Sequence, residues 1–479
     1  MEVCRAQDRD GTIAIVGAGF SGTALAYRLL RAGEFRGRVV LIERSGRYGP
    51  GLAYGGNSHG AVLNVPAGNM SLDERAPSDF VDFLRSEGLE ASPHDFVPRQ
   101  QYGRYLESRL EGAARQAGAG RLLRVSGEAT GLARDGTGFR VEIDDGRRVF
   151  SDRVVLALGH SPPATLPALS PLEGASSYVT DPWSTLPACR PGGRVLIVGT
   201  GLTMADVVVE LVSRPFGPSQ IVAVSRHGRL PHVRDGVLTR RGRDSRPVRR
   251  LGSHATVRSL LVAVRHAARA AETQGGNWRD VVAGLRDDAA ELWACLSLEE
   301  RRRFLRHVQP QWDVHRHLLP PQVGVKVHAA LRDRRLQLRA GRIVAADSTS
   351  PGACVTVRLR GSSRSESLHV DQVILCTGPL ADPTRNPSRL VRGLVHGGWL
   401  AADPTGCGLR VDAQGRPIDS AGAAVDGVFY LGPWLRARDY EATAVAELRR
   451  AATELTRTLL DDIENSAANH SDHLRRVSS

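Results

Sequence analysis

The chain has 479 residues, which is too long for a single domain and predicts two or three. Hydrophobic residues make up 41% and charged residues 24%, a composition that excludes a disordered or fibrous protein. There is no apolar run of about 18 residues, and residues 1–10 are polar, so we expect neither a membrane-spanning helix nor a secretory signal. The expected location is the cytoplasm.

The net charge of +13 comes almost entirely from arginine, because Lys326 is the only lysine. The arginines are spread along the whole chain, with one denser stretch at 234–250, and aromatic residues make up only 5%. Nucleic-acid-binding proteins usually concentrate their basic residues in one stripe with aromatic residues between them. The distribution therefore favours a protein with no nucleic-acid partner.

The cysteines are far apart in the sequence. No two of them are closer than 22 residues, so there is neither a Cys-x-x-Cys pair nor zinc-type spacing. This spacing removes dithiol redox chemistry from the candidate mechanisms. The cysteines are Cys4, Cys189, Cys295, Cys354, Cys376 and Cys407.

The first motif is a strand, glycine loop, helix and strand near the N-terminus. Residues 12–16 form an apolar run typical of a buried parallel strand, and residues 17–22 read Gly-Ala-Gly-Phe-Ser-Gly. Residues 23–31 have the apolar spacing of a helix, and residues 38–42 predict a second strand that ends at Glu43. A glycine pattern alone is weak, but this complete order predicts a dinucleotide-binding domain.

Each residue type in this unit suits a nucleotide. Gly17 permits a tight turn, Gly19 lets backbone approach a pyrophosphate, and Gly22 allows the helix to pack closely on the strand. The helix N-terminus offers N–H groups to phosphates. Glu43 suits two ribose hydroxyls and would repel a 2′-phosphate, which favours FAD or NAD over NADP. The predicted contacts in this unit are Gly17, Gly19, Phe20, Ser21, Gly22, Glu43 and Arg44.

A second unit of the same kind begins near residue 194. The predicted strand 195–198 leads into Gly-Thr-Gly-Leu-Thr-Met, so Met204 replaces the third glycine. The next strand, 221–224, ends at Ser225 and Arg226. An arginine at this place is expected for a 2′-phosphate, which predicts an NADPH site; the alternative is that Arg226 is one more surface arginine. The predicted NADPH contacts are Gly199, Gly201, Leu202, Thr203, Ser225 and Arg226.

An internal repeat sets the predicted domain layout. Residues 121–160 and 335–379 each read as a β-meander followed by an acidic residue, a buried strand and a glycine, Gly159 or Gly378. We interpret the repeat as the point where one nucleotide-binding domain passes the chain to its neighbour. The prediction is an α/β fold with two Rossmann-like domains. An FAD-binding domain at 11–165 and 346–462 would hold an inserted NADPH-binding domain at 166–345.

Two further segments lie outside this pattern. An arginine-rich helical insert is predicted at about 235–330 and a disordered tail at 463–479. The insert contains His315 and His317, which point in opposite directions on a helix and so cannot chelate one ion there. On a strand they would share a face, but no carboxylate or cysteine cluster accompanies them. We therefore expect no metal site and interpret the histidines as structural or substrate-facing.

With these motifs, the sequence resembles the two-dinucleotide flavoproteins of glutathione-reductase-like fold over residues 12–460. It most closely resembles the family called FAD/NAD(P)-binding domain proteins. Members of that family with assigned activity include flavin-dependent N-hydroxylating monooxygenases of the nitrosuccinate synthase type. The motifs that carry the resemblance are 17–22, 49–54, 63–67, Met70-Ser71, 181–183, 199–206, 312–317 and 440–449.

The resemblance implies further contacts. A helix beginning near Glu441 or Thr443 would aim its N-terminus at the flavin, with Glu441 pointing away. The usual Gly-Asp that binds the ribityl chain is here Gly432-Pro433, a departure from the pattern. The implied FAD contacts are Tyr54, Asn64, Val65, Met70, Gly159, Gly378, Gly432 and Thr443. The implied substrate contacts are Trp312, His315 and Arg316.

The resemblance also implies an activity. In such enzymes NADPH reduces FAD, O₂ adds at flavin C4a as a hydroperoxide, and one oxygen passes to a small polar nucleophile. Here the favoured nucleophile is the amino group of an amino acid or of another amine in specialised metabolism. The cofactor supplies the chemistry, so no catalytic side chain is assigned. The partners would be a small-molecule substrate and O₂, and a homodimer is allowed. Alternatives are an NADPH-dependent flavin oxidoreductase without oxygen insertion, and a nucleotide-sensing binding protein.

Overall fold

The computed structural model describes residues 2–3, 11–55, 60–183, 186–234 and 255–477. The first domain is built on a parallel sheet in which Ile15 lies between Leu41 and Val155. Every strand side chain of 13–16 is buried, as the apolar run predicts. The strands of this sheet are β2 (Thr12–Val16), β3 (Arg38–Glu43), β4 (Leu122–Ser126), β8 (Arg153–Leu156) and β16 (Val428–Tyr430), in the order β16-β8-β2-β3-β4.

Helices cover this first sheet, and a small antiparallel meander lies beside it. The helix after the glycine loop, α1 (Phe20–Arg31), packs against α4 (Arg99–Ala117). The other helices of this part are α2 (Gly51–Gly55) and α3 (Asp79–Ser86). The meander contains β5 (Ala129–Asp135), β6 (Gly138–Ile143) and β7 (Arg148–Ser151), and β1 (Glu2–Val3) pairs in parallel with β7 at its edge, giving the order β1-β7-β6-β5.

The second domain has its own sheet, and it takes in more of the chain than we predicted. Val195 pairs in parallel with Gln372, so the strand after the second meander belongs to this sheet. The predicted boundary at 345/346 is therefore wrong, because the second meander and its last strand close the second domain rather than reopen the first. The strands are β9 (Tyr178–Val179), β10 (Arg194–Val198), β11 (Gln220–Ser225), β12 (Leu336–Thr349), β13 (Gly352–Leu359), β14 (Ser365–Val370) and β15 (Gln372–Leu375), in the order β14-β13-β12-β11-β10-β15-β9.

The predicted insert is helical where the structure describes it, and residues 235–254 lie outside the described residues. Its last part is not an insert: α11 (Pro321–Arg332) packs on α5 (Leu202–Ser213) through Val323 and Val327, as a crossover helix of the second domain does. The insert helices are α6 (Val257–Thr273), α7 (Trp278–Asp287), α8 (Ala289–Cys295), α9 (Leu298–His307) and α10 (Gln309–Arg316).

The chain ends in one long helix rather than in the predicted disordered tail. Helix α13 (Val445–Val477) buries Ala452, Leu455 and Leu459 in the core of the first domain. Farther along, Arg153 on β8 binds Asp462 and donates to the Ser466 hydroxyl at 2.9 Å. The polar composition from residue 463 concealed these anchors, which depend on a distant arginine.

One further helix and several short turns complete the description of the fold. Helix α12 (Arg389–His396) packs on β5, and both lie in the same core as β2 and β3. Short 3₁₀ turns stand at Ala67–Asn69, Pro167–Leu172, Pro383–Arg385 and Pro433–Ala437.

Among the described residues, no helix is both long and apolar enough to cross a membrane.

Candidate active site

A large cavity of about 1250 Å³ lies where the first domain, the second domain and the insert meet. Ligand pockets for one small molecule commonly measure about 300–1,000 Å³, so this cavity has room for more than one ligand. Residues predicted as cofactor or substrate contacts that line it are Gly17, Gly19, Phe20, Ser21, Glu43, Arg44, Tyr54, Asn64, Val65, Met70, Gly159, Leu202, Thr203, His315, Arg316, Gly378 and Thr443.

The first glycine loop is shaped both by packing and by open space. A Cβ on Gly17 would lie 2.2 Å from the Ala157 carbonyl oxygen, and one on Gly22 would lie 1.9 Å from the Gly17 carbonyl oxygen. A Cβ on Gly19 would meet only the Gly51 Cα, at 3.5 Å. Gly22 therefore serves packing and does not line the cavity, whereas Gly19 keeps the loop surface clear for a ligand.

Glu43 is held in place at the end of β3 by the loop itself. The Ala18 backbone N–H donates to Oε2 at 2.8 Å, and the Ser45 backbone N–H and hydroxyl donate to Oε1 at 3.0 and 2.9 Å. The carboxylate lies beside the glycine loop and lines the cavity. This is the position from which an acidic residue binds ribose hydroxyls in a dinucleotide site.

The second glycine loop repeats the first turn but not its third glycine. A Cβ on Gly199 would lie 2.1 Å from the Cys376 carbonyl oxygen, which matches the relation of Gly17 to Ala157. Met204 is fully buried, and Gly201 has no atom within 4 Å of its would-be Cβ. The backbone at this loop is therefore open in the same way as at Gly19.

The predicted NADPH residues are only partly brought together. Leu202 and Thr203 line the main cavity, whereas Gly199, Gly201, Ser225 and Arg226 do not. The Ser225 hydroxyl is bonded to the Thr200 hydroxyl at 2.8 Å and accepts from the Gly228 N–H at 3.0 Å. Arg226 is exposed at the end of β11, which keeps both of its interpretations open.

Of the two predicted C-terminal contacts, Thr443 lines the cavity and Gly432 is displaced from it. Gly432 does not line the cavity; Pro433 and Trp434 do. The last helix begins at Val445 rather than near Glu441, because the Glu441 carbonyl accepts the Thr443 N–H at 2.6 Å in a tight turn. Residues 443–446 nevertheless line the cavity, so the helix N-terminus faces it.

Glu441 points away from the cavity and binds the insert. Arg316 Nε lies 2.9 Å from Oε2, and the Trp312 indole N–H donates to Oε1 at 2.9 Å. Burial would raise the pKa of Glu441, but the positive charge of Arg316 and its neighbours outweighs burial and lowers the pKa. Two of the predicted substrate residues therefore bind Glu441. Arg316 is paired with this buried carboxylate, and Trp312 donates to it and does not line the cavity.

Sequence reasoning missed a group of insert residues on the cavity wall. Arg234, Arg279 and Arg286 line the cavity together with His315 and His317. Arg286 forms a bidentate ion pair with Glu447 on α13. In an arginine-rich chain, composition alone could not single these three out, since only the fold shows which arginines face inwards.

Two histidines on the cavity wall, His160 and His317, stay neutral near pH 7. Burial and the nearby charge of Arg316 lower the pKa of His317 to about 4, and burial and Arg436 lower the pKa of His160 to about 4. Among the described residues, no three His, Cys, Asp or Glu side chains are grouped to hold a metal ion.

Residues 14–161 match a family described as FAD-NAD(P)-binding. No curated protein matches the chain. Among solved structures, the chain resembles ornithine hydroxylase (PvdA) from Pseudomonas aeruginosa at 16% identity and a TM-score of 0.64, over 94% of this chain and 99% of that one. It also resembles Kutzneria sp. 744 ornithine N-hydroxylase with reduced FAD, NADP⁺ and L-ornithine, at 17% identity and 0.60, over 95% and 99%.

The likeness extends more weakly to a reductase. Thioredoxin reductase from T. acidophilum matches at 12% identity and a TM-score of 0.51, over 95% of this chain and 99% of that one. These likenesses establish the fold, with two Rossmann-like domains as the glycine motifs predicted. Since the fold is shared by enzymes of different chemistry, the activity has to be argued from the site.

Proposed function

We propose that this chain is an NADPH- and FAD-dependent monooxygenase that hydroxylates the amino group of a small molecule. The observation that carries the proposal is one cavity on which the first glycine loop, the start of the second loop's helix and the insert all converge. A flavin-reducing nucleotide, a flavin and a substrate must meet in such a space. The structural likeness to ornithine N-hydroxylases favours this reaction over simple electron transfer.

The residues of the first domain fit FAD. Gly19 leaves open backbone where a pyrophosphate has to approach, and Glu43 is oriented at the end of β3 for ribose hydroxyls. Residues 443–446 set the N-terminus of α13 against the cavity, and a helix N-terminus carries about half a positive charge. FAD, when bound, supplies the redox chemistry by accepting a hydride and reacting with oxygen.

The second domain would hold NADPH at the Gly199–Gly201 turn, with Arg226 near the 2′-phosphate. The side chains of this chain then have to orient the nicotinamide, keep water out and position the amine. The Cys376 thiol lines the cavity, but burial and the charge of Asp206 raise its pKa, so it stays protonated. Together with the absence of any Cys-x-x-Cys in the sequence, this argues against a dithiol reductase.

The test is turnover of the FAD-loaded protein with NADPH and O₂ on a panel of amino acids, diamines, sulfides and ketones. The expected result is a hydroxylamine product from at least one amine, formed in proportion to the NADPH consumed. A matched run with NADH should be slower if Arg226 reads the 2′-phosphate. NADPH consumption that ends entirely in H₂O₂ for every amine would overturn the proposal and favour an oxidoreductase without oxygen insertion.

A further inference from the structure

Two arginines on the insert side of the cavity have no acidic partner among the residues that the structure describes. Arg234 follows a bridge in which Val233 pairs with Leu319, and its backbone N–H donates to the Leu319 carbonyl at 2.8 Å. Its side chain lines the cavity, and its guanidinium carbon lies 5.8 Å from the centre of the Phe96 ring. Its Nε is buried and makes no hydrogen bond to any described residue.

Arg279 is in the same situation on α7. Its guanidinium lies over the neighbouring Trp278 ring at 4.6 Å, and its Nε is buried without a hydrogen-bond partner among the described residues. The backbone N–H of Arg279 is taken up by the Asn277 side-chain cap, which fixes the start of the helix. The side chain is therefore held at the cavity by an aromatic ring rather than by a carboxylate.

Four other arginines on the cavity wall have acidic partners; Arg44, which follows β3 beside the first glycine loop, is not one of them. Arg99 binds Asp206, Arg286 binds Glu447, Arg316 binds Glu441, and Arg449 lies 3.5 Å from Glu74. Burial lowers the pKa of Arg234, and the positive charges of Arg316 and Arg286 add to this effect. A buried guanidinium among like charges is costly unless an anion joins it.

Aromatic rings lie beside these two arginines. The His232 ring lies 5.3 Å from Trp278 and 4.6 Å from His315. Asp287, at the end of α7, also lines the insert side of the cavity. No arginine of the described residues lies within ion-pair distance of its carboxylate. This part of the cavity therefore contains two guanidinium groups that can donate to an anion, and one carboxylate at the end of α7.

We propose that Arg234 and Arg279 form a subsite for a carboxylate group of the substrate. The proposal rests on the function given above and deepens it: the amine that is hydroxylated belongs to a molecule that carries a carboxylate, and a diamine without one would be a poor ligand. Guanidinium groups bind carboxylates with strong, charge-assisted hydrogen bonds and often with two at once. A second ammonium group would meet two uncompensated positive charges at this wall.

The experiment measures binding without turnover. The FAD-loaded protein is titrated with succinate, acetate and the four-carbon diamine putrescine at constant ionic strength, and the flavin absorbance and fluorescence are followed. We expect saturable binding of succinate and none of putrescine. Arg234→Met and Arg279→Met should each weaken succinate binding about tenfold or more, and Arg234→Lys by less than Arg234→Met.

Arg265→Met is the matched control, because Arg265 is exposed on α6 and does not line the cavity. It should bind succinate like the wild type. Titrations with NADP⁺ and NAD⁺ test whether the two arginines instead bind the phosphate of the cofactor. If the two cavity variants lost affinity for NADP⁺ but kept it for succinate, the pair would serve the cofactor phosphate and the proposal would be overturned.

The result is also separable from the fate of the proposed function. Succinate binding that depends on Arg234 and Arg279 would support the subsite even in a protein that never formed a hydroxylamine. Conversely, efficient hydroxylation of putrescine, with succinate binding absent or unchanged in both variants, would leave the monooxygenase intact and overturn the carboxylate subsite.

Discussion

Single glycines of the two loops are required for different physical reasons. Gly22→Ala would press a methyl group against the Gly17 carbonyl oxygen, where the would-be distance is 1.9 Å. Overpacking of this kind costs about 1–3 kcal/mol or more, so we expect a lower free energy of unfolding even without cofactor. In Gly19→Ala the added methyl group would lie 3.5 Å from its nearest protein atom, the Gly51 Cα, so this variant should fold normally. The methyl group would instead occupy space at the loop surface, and we expect the variant to lose FAD. Urea unfolding of the apoproteins and FAD titration together distinguish the two effects.

Gly201→Ala provides the matched control in the second loop. Because nothing lies within 4 Å of its would-be Cβ, this variant should keep both stability and FAD. Its expected defect is weaker NADP⁺ binding alone. Loss of FAD in Gly201→Ala, or retention of FAD in a folded Gly19→Ala, would contradict the assignment of the two loops.

His317 gives the pH dependence of stability a definite sign. Its pKa is about 4 in the folded protein, lowered by burial and by Arg316, against an ordinary value near 6.5. Between these values the unfolded chain takes up a proton that the folded chain does not, so the free energy of unfolding should fall as pH drops from about 6.5 towards 4. In His317→Gln this decline should be shallower, whereas His266→Gln, at an exposed position of α6, should follow the wild type. Equal slopes in all three proteins would refute the argument.

Residues in local motifs could be predicted from sequence, and residues with distant partners could not. Gly17, Gly19 and Glu43 lie in one strand–loop–helix unit, so their spacing alone placed them at the cavity. Arg316 was named for the substrate, yet its partner is Glu441 in a remote turn, which no local pattern reveals. Conversely, Arg234 and Arg279 were not singled out, because the sequence does not show that they lack an acidic partner in the folded protein.

At the scale of elements, two ion pairs attach the insert to the last helix and to the turn before it. Arg316 on α10 meets Glu441, and Arg286 on α7 meets Glu447. These contacts set the insert over the cavity beside the N-terminus of α13. The domain boundary was missed at this same scale, because a meander followed by a strand looks alike whether it closes the second domain or reopens the first.

Glu441→Gln should loosen the insert. The substitution leaves the Arg316 charge buried without a counter-charge, and breaking a buried pair costs about 3–5 kcal/mol. We expect faster proteolytic cleavage and faster amide exchange within α7 and α10, and more H₂O₂ released per NADPH. Glu299→Gln breaks an exposed pair with Arg303 in the same insert and should change little, since exposed pairs contribute about 0–1 kcal/mol. Indistinguishable exchange in the two variants would show that the Glu441 pair does not hold the insert.

For the whole molecule, one part-buried ion pair bridges the two nucleotide domains. Arg99 on α4 of the first domain donates to Asp206 on α5 of the second at 2.8 Å, and to the Val62 carbonyl at 3.1 Å. The guanidinium also lies over the Trp183 ring at 4.9 Å. Burial raises the pKa of Asp206, and the Arg99 charge opposes this. Since α5 begins at the second glycine loop, the pair ties that loop to the first domain.

Asp206→Asn tests whether this contact aligns the two domains for hydride transfer. The change keeps the shape of the side chain but removes the charge that Arg99 binds, so the second domain should sample other orientations. Misplacement by about 1 Å can cost about a hundredfold in rate, and we expect anaerobic flavin reduction by NADPH to slow about tenfold to a hundredfold. Reduction by dithionite, which needs no domain alignment, should be unchanged, as should FAD affinity. Glu210→Gln breaks a pair of similar burial with Arg214 inside the same helix and should reduce normally. If both variants slowed equally, the defect would lie in α5 itself and not in the contact between domains.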